Sequence, residues 1–220
     1  MTDALNDCTF DQWLDSWFLI EIADDEISPG GAVQLYWCDL PASTEISYLT
    51  RLLLAPREAL ARYSNAQLNA GFWELVGASG ILSHVCGKSN FPDSSLTCLT
   101  GIVTLFREVF AERCAQGLGH LDEPGRNPLN SICYMWWDIF PVAIGAGEWT
   151  ECDALFLEVL GALLSIDHDA VRESALHGLG HVSGRRELAV ALIDSFLVTN
   201  PGIRPELRRY ALSARAGCIQ

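Results

Sequence analysis

His177 and His181 stand four residues apart in an apolar stretch, the spacing by which two imidazoles on one helix face can reach a single metal ion. A zinc protease motif would place glutamate at position 178 as the general base. The residue there is Gly178, so that chemistry is not expected. A third ligand could come from Asp167, His168 or Asp169, a turn or more upstream, although nothing in the spacing requires it. The expectation is that both histidines pack or hydrogen-bond, with no metal, no cofactor and no catalytic residue. The chain also lacks G-x-S-x-G, G-x-x-x-x-G-K-[ST], and a G-x-G-x-x-G following a strand. A Ser-His-Asp set can be drawn from anywhere in a chain, so motif reading does not address it.

The aromatic block Tyr134, Trp136, Trp137 and Phe140 could stack a base or a sugar, but a single core must bury large rings somewhere. At helical spacing Cys133, Trp137 and Phe140 form one stripe, with Tyr134 on much the same side. Trp136 falls off it and is the ring expected to make a surface contact.

The elements that must position these groups read as helices. Phe10, Trp13, Leu14, Trp17 and Phe18 recur at helical spacing, and Thr9 with Gln12 forms a capping box ahead of them. Pro29-Gly30-Gly31 is a break, and residues 32–40 fit either a short strand or a packed loop. Ser43 is placed to cap a helix to about Leu54, Pro56 suits a first turn, and Ser64 with Gln67 is a second capping box. A long helix is expected from about Ser94 to Gln116. The Gly, Asp and Pro-rich connection 117–127 follows, and Asn127-Pro128 restarts helix until Pro141 ends or kinks it. Helices are then expected at 150–165, 168–180, 184–198 and 204–216. The strand content should fall below about a tenth, well under the usual 20–25%.

The length of 220 residues, with half of them hydrophobic and 19% charged, suits one helical domain rather than a disordered chain. The net charge is -14, and it is unevenly spread. Residues 1–50 carry ten acids and no lysine or arginine, whereas residues 201–220 are net +3. The acid excess argues against nucleic acid, because phosphate binding needs clustered cations, which the chain lacks outside its last twenty residues. No apolar run approaches the roughly 18 residues of a membrane span. The eight cysteines form no C-x-x-C pair, and most lie in apolar stretches as buried thiols would. Residues 1–7 show neither a basic nor an apolar region of a secretory signal. Reduced cysteines and a cytoplasmic location are the expectation.

The last third repeats itself at an offset of 36. Val171-Arg172 aligns with Leu207-Arg208, Ala175-Leu176 with Ala211-Leu212, and Gly178 and Gly180 with Ala214 and Ala216. A fainter echo relates Gly117-Leu118-Gly119-His120 to Gly178-Leu179-Gly180-His181, with Glu112 matching Glu173. The run Asp169 to Gly180 resembles the inner helix of a HEAT-type repeat, with its acidic turn, Val-Arg, Ala-Leu and closing Leu-Gly. The resemblance covers about 50–70 C-terminal residues. It implies an all-α stack of antiparallel helix pairs over 150–216, with Arg172 near Asp167 or Asp169; an acidic segment 1–42 is separately expected to pack on the domain. It implies no activity, because this architecture serves mostly as a binding scaffold. Its di-iron hydroxylases use His-Glu dipeptides, which this chain lacks, and its DNA glycosylases need a cationic groove. Asn127 to Asn130, Cys133 to Asp138 and Ala175 to His181 together also resemble a group of uncharacterised bacterial proteins.

Three function classes remain. The first is a non-enzymatic protein-binding protein, an immunity-type inhibitor that holds a basic bacterial toxin through an acidic surface. Its partner-binding residues would be Asp24, Asp25 and Glu26, helped by Asp122 and Glu123, all beside Pro or Gly breaks and expected as exposed loop tips. The alternatives are a metal-dependent enzyme centred on His177 and His181, and a structural adaptor in a larger assembly.

Overall fold

A computed structural model describes residues 4–5, 7–21, 33–34, 37–77, 93–121, 123, 127–140, 151–182 and 185–219. Of the expected binding acids, Asp24, Asp25, Glu26 and Asp122 lie outside the described residues, as does Pro141.

Among the described residues the chain is all-α apart from four two-residue strands. Helix α1 (Phe10–Phe18) opens on the expected capping box, with the Gln12 amide N–H donating to Thr9 Oγ1 and the Thr9 N–H to Gln12 Oε1. Around it, β1 (Ala4–Leu5) pairs in parallel with β4 (Trp37–Cys38), and β2 (Ile20–Glu21) pairs antiparallel with β3 (Val33–Gln34). The β1–β4 pairing sets Leu5 opposite Cys38 and so brings Cys8 alongside, where the two cysteines form a disulfide. That bond corrects the expectation that the cysteines are all reduced, and it removes that support for a cytoplasmic location. Cys98, Cys114 and Cys133 are buried free thiols, and burial pushes Cys98 up to about 12.

Helix α2 (Ala42–Leu54) starts one residue before the expected Ser43 cap. No side chain caps it; the Pro41 carbonyl accepts from the amides of Thr44 and Glu45 instead. Helix α3 (Pro56–Leu60) begins on Pro56, and α4 (Asn65–Gly77) on the Ser64–Gln67 capping box. Helix α5 (Asp93–Leu105) runs through a π-helical turn (Phe106–Phe110) into α6 (Ala111–Arg113). A 3-10 turn (Gly119–Leu121) precedes α7 (Leu129–Ile139), which Pro128 starts as expected. The last third is α8 (Glu151–Leu164), α9 (Asp169–His181), α10 (Arg186–Thr199) and α11 (Pro205–Ala216). No described helix is long and apolar enough to cross a membrane.

One apolar cluster runs from α1 to α11. Phe18 reaches α4 where Gly71 offers no Cβ, and Phe72 of α4 meets Phe110 and Trp136. Trp136 is therefore a core ring at 2% exposure, packed edge-on to Phe72, Phe106 and Phe110, and not the expected surface contact. Its helix is buried on two sides, so a single-stripe reading misplaces it.

Helix α9 sits at the centre of the last third. It packs against α7, α8, α10 and α11, and every residue from Ala170 to Gly180 is buried. Arg172 pairs with Asp167 at 2.8 Å. The echo between 117–120 and 178–181 is not structural: the first lies in a loop and a 3-10 turn, the second inside α9. Gly217, with φ of 73°, ends α11 in the left-handed conformation that glycine adopts at least cost. Arg186 clasps that end by donating to the Ala214 and Arg215 carbonyls.

Candidate functional site

Among the described residues, the last turns of α9 and α7 bring ligand atoms of Asp138, His177 and His181 within 4.8 Å of one another. His177 and His181 share a face of α9, as their spacing requires. Position 178, next to His177, is glycine for a packing reason. A Cβ there would lie 2.8 Å from both Trp137 Cγ and Leu160 Cδ2. The missing side chain lets α7 approach, and the residue after Trp137 is Asp138.

Asp138 closes the site. Its Oδ2 lies 2.9 Å from His177 Nε2 and its Oδ1 2.5 Å from His181 Nε2. The two Nε2 atoms are 3.1 Å apart. His177 is 1% exposed at its side chain, Asp138 27% and His181 47%, so the cluster has a buried floor and a solvent-facing rim. On the far side of His177, Nδ1 is 2.6 Å from the Tyr210 hydroxyl, which is itself 3.2 Å from the Tyr134 hydroxyl. Burial pushes the Tyr210 phenol well above its ordinary range, and Tyr134 and nearby acids push the same way. His177 is held below its ordinary 6.5, mainly by burial; Asp138 opposes that shift and His181 adds to it.

Behind this layer, His120 stacks on Tyr210 with ring centroids 4.4 Å apart, and its Nδ1 is 2.5 Å from Glu173 Oε1. Glu173 is fully buried and accepts from the Gly119 and His120 amides at 2.5 and 3.2 Å. A buried carboxylate is tolerated only with such donors around it. The set can exchange protons, orient an imidazole and supply nitrogen and oxygen ligands.

The upstream residues considered as third ligands are elsewhere. Asp167 is on Arg172, and His168 Nε2 lies 3.3 Å from the Cys114 carbonyl. The group the sequence reading missed is Asp138. An acid directly after two tryptophans in an apolar helix was the available signal. Of the expected partner-binding acids, only Glu123 is described, and it is not a free loop tip. Arg204 forms a two-pronged ion pair with it, and it accepts from the Leu118 amide at 2.9 Å. These contacts hold its carboxyl below the usual range, with the Arg204 hydrogen bond the largest cause. No family model matches the chain, and neither the curated proteins nor the solved structures contain a match to it.

Proposed function

We propose that this chain is a non-enzymatic protein-binding protein, an immunity-type inhibitor that holds a basic toxin through an acidic surface. Its scaffold is an irregular stack of antiparallel helix pairs, HEAT-like over 150–216. The observation that carries the reading is the fate of the arginines. Arg57, Arg62, Arg172, Arg204, Arg209 and Arg215 pair with Glu112, Asp15, Asp167, Glu123, Glu206 and Asp194. Arg113, Arg186 and Arg208 donate to main-chain carbonyls. Each such pair cancels one acid with one cation, so the excess carboxylates set the field of a chain of net charge -14, and such a field speeds encounter with a basic partner. The same engagement argues against a cationic groove for nucleic acid.

The test begins with affinity purification from the native host. With the captured partner, association is measured for the chain carrying Asp24→Asn, Asp25→Asn, Glu26→Gln and Asp122→Asn. Glu123 stays intact because its loss would also free Arg204. Association should slow by about tenfold at low salt and lose much of its salt dependence. A partner whose binding ignores both salt and these four changes ends the proposal for this face.

A further inference from the structure

The contacts among Asp138, His177 and His181 crowd three ligand-type groups together. With an ionised carboxylate, each Nε2 can donate a proton to Asp138, but the two donor nitrogens then lie only 3.1 Å apart; with one of them bare, its lone pair faces a carboxylate oxygen unless the carboxyl itself carries the proton.

A cation at the centre relieves that crowding, because every corner then offers a lone pair. We propose that Asp138, His177 and His181 bind one divalent first-row transition-metal ion of the zinc class, with a coordination position open on the His181 side.

Four observations support this. The ligand atoms lie within 4.8 Å of one another. Ligands about 2.0–2.1 Å from a tetrahedral zinc sit roughly 3.3 Å apart, and two sides of the triangle, 2.9 and 3.1 Å, are close to that. The donor set is two imidazoles and one carboxylate, which suits zinc, iron or manganese better than calcium or magnesium. Finally, an outer partner is in place: for His177 to ligate through Nε2, Nδ1 must keep its proton, and the Tyr210 oxygen 2.6 Å away can accept it while the phenol donates to Tyr134. Such partners fix the tautomer and ring plane of a metal-binding histidine. Three protein ligands, two of them on a solvent-facing rim, match sites that keep a water or an exogenous ligand, whereas closed structural sites use four.

The experiment uses the full chain stripped by a chelator and titrated with zinc by calorimetry. A parallel titration with cobalt follows the visible d–d bands that report low coordination number. The expected result is one ion per chain and a raised melting temperature. Asp138→Asn and His181→Gln alter solvent-facing side chains, so both variants should fold. Each should weaken binding by more than about a hundredfold, and Tyr210→Phe by about 10–100-fold. Circular dichroism of the metal-free variants confirms that they remain helical. Failure of the folded wild-type chain to take up zinc or cobalt overturns the proposal. So does uptake that persists unchanged in both Asp138→Asn and His181→Gln, since the ion would then be held elsewhere.

Discussion

Among single residues, His168 gives the clearest consequence of burial. It is 4% exposed, its Nε2 faces the Cys114 carbonyl and its Nδ1 has no hydrogen-bond partner. Burial is the largest influence and holds its pKa below the ordinary 6.5, against the pull of Asp167 and Asp169. The unfolded chain therefore takes up a proton as pH falls through about 6.5 while the folded chain does not. Stability that is complete above that pH is lost as pH drops toward the folded value, by up to about 1.4 kcal/mol per pH unit. Chemical denaturation at pH 7 and pH 5 should show the wild-type chain losing more stability than His168→Gln, whose amide can still donate to Cys114. Equal losses in the two proteins would mean that His168 is protonated in the fold. His177 is shifted in the same direction, so the difference between variant and parent is the quantity to read.

Between elements, the closest approaches depend on glycine. At Gly71 a Cβ would sit 2.4 Å from the Phe18 ring and 2.5 Å from the Trp17 carbonyl, and the backbone atom cannot rotate away. Gly71→Ala should cost about 2–3 kcal/mol by pushing α1 off α4. Gly77→Ala on the same helix meets no described atom within 4 Å and should be neutral or slightly stabilising, by well under 1 kcal/mol. Paired urea melts compare the two directly. Helix starts were legible because the Thr9–Gln12 and Ser64–Gln67 boxes and Pro56 and Pro128 act locally. Asp138 was not, because it meets His177 across 39 residues of sequence, and only through the packing that Gly178 permits. Glu123 was misread for the same kind of reason. Its neighbours Pro124 and Gly125 indicate an exposed turn, while the partner that engages it, Arg204, lies 81 positions away.

For the whole molecule, the strongest single constraint on the acidic front is covalent. Cys8 and Cys38 are 30 residues apart, and closing a loop of that size stabilises a fold by on the order of 3 kcal/mol relative to the open chain. Reduction should lower the melting temperature by about 6–12 °C for a domain of this size. Cys8→Ser with Cys38→Ser should reproduce the shift and become insensitive to reductant. A melting curve that reductant leaves in place would show that the fold near α1 holds without the bond.

The same bond makes residues 9–37 a closed ring in the covalent sense, and the acidic run from Asp24 to Glu26 lies on that ring. A protease that cuts once anywhere along it severs the polypeptide without releasing a fragment. The nicked protein would keep α1 attached through sulfur and migrate as one band until a reductant is added. Digestion compared on reducing and non-reducing gels would then locate cuts in the acidic run without abolishing the packing of α1 on α4.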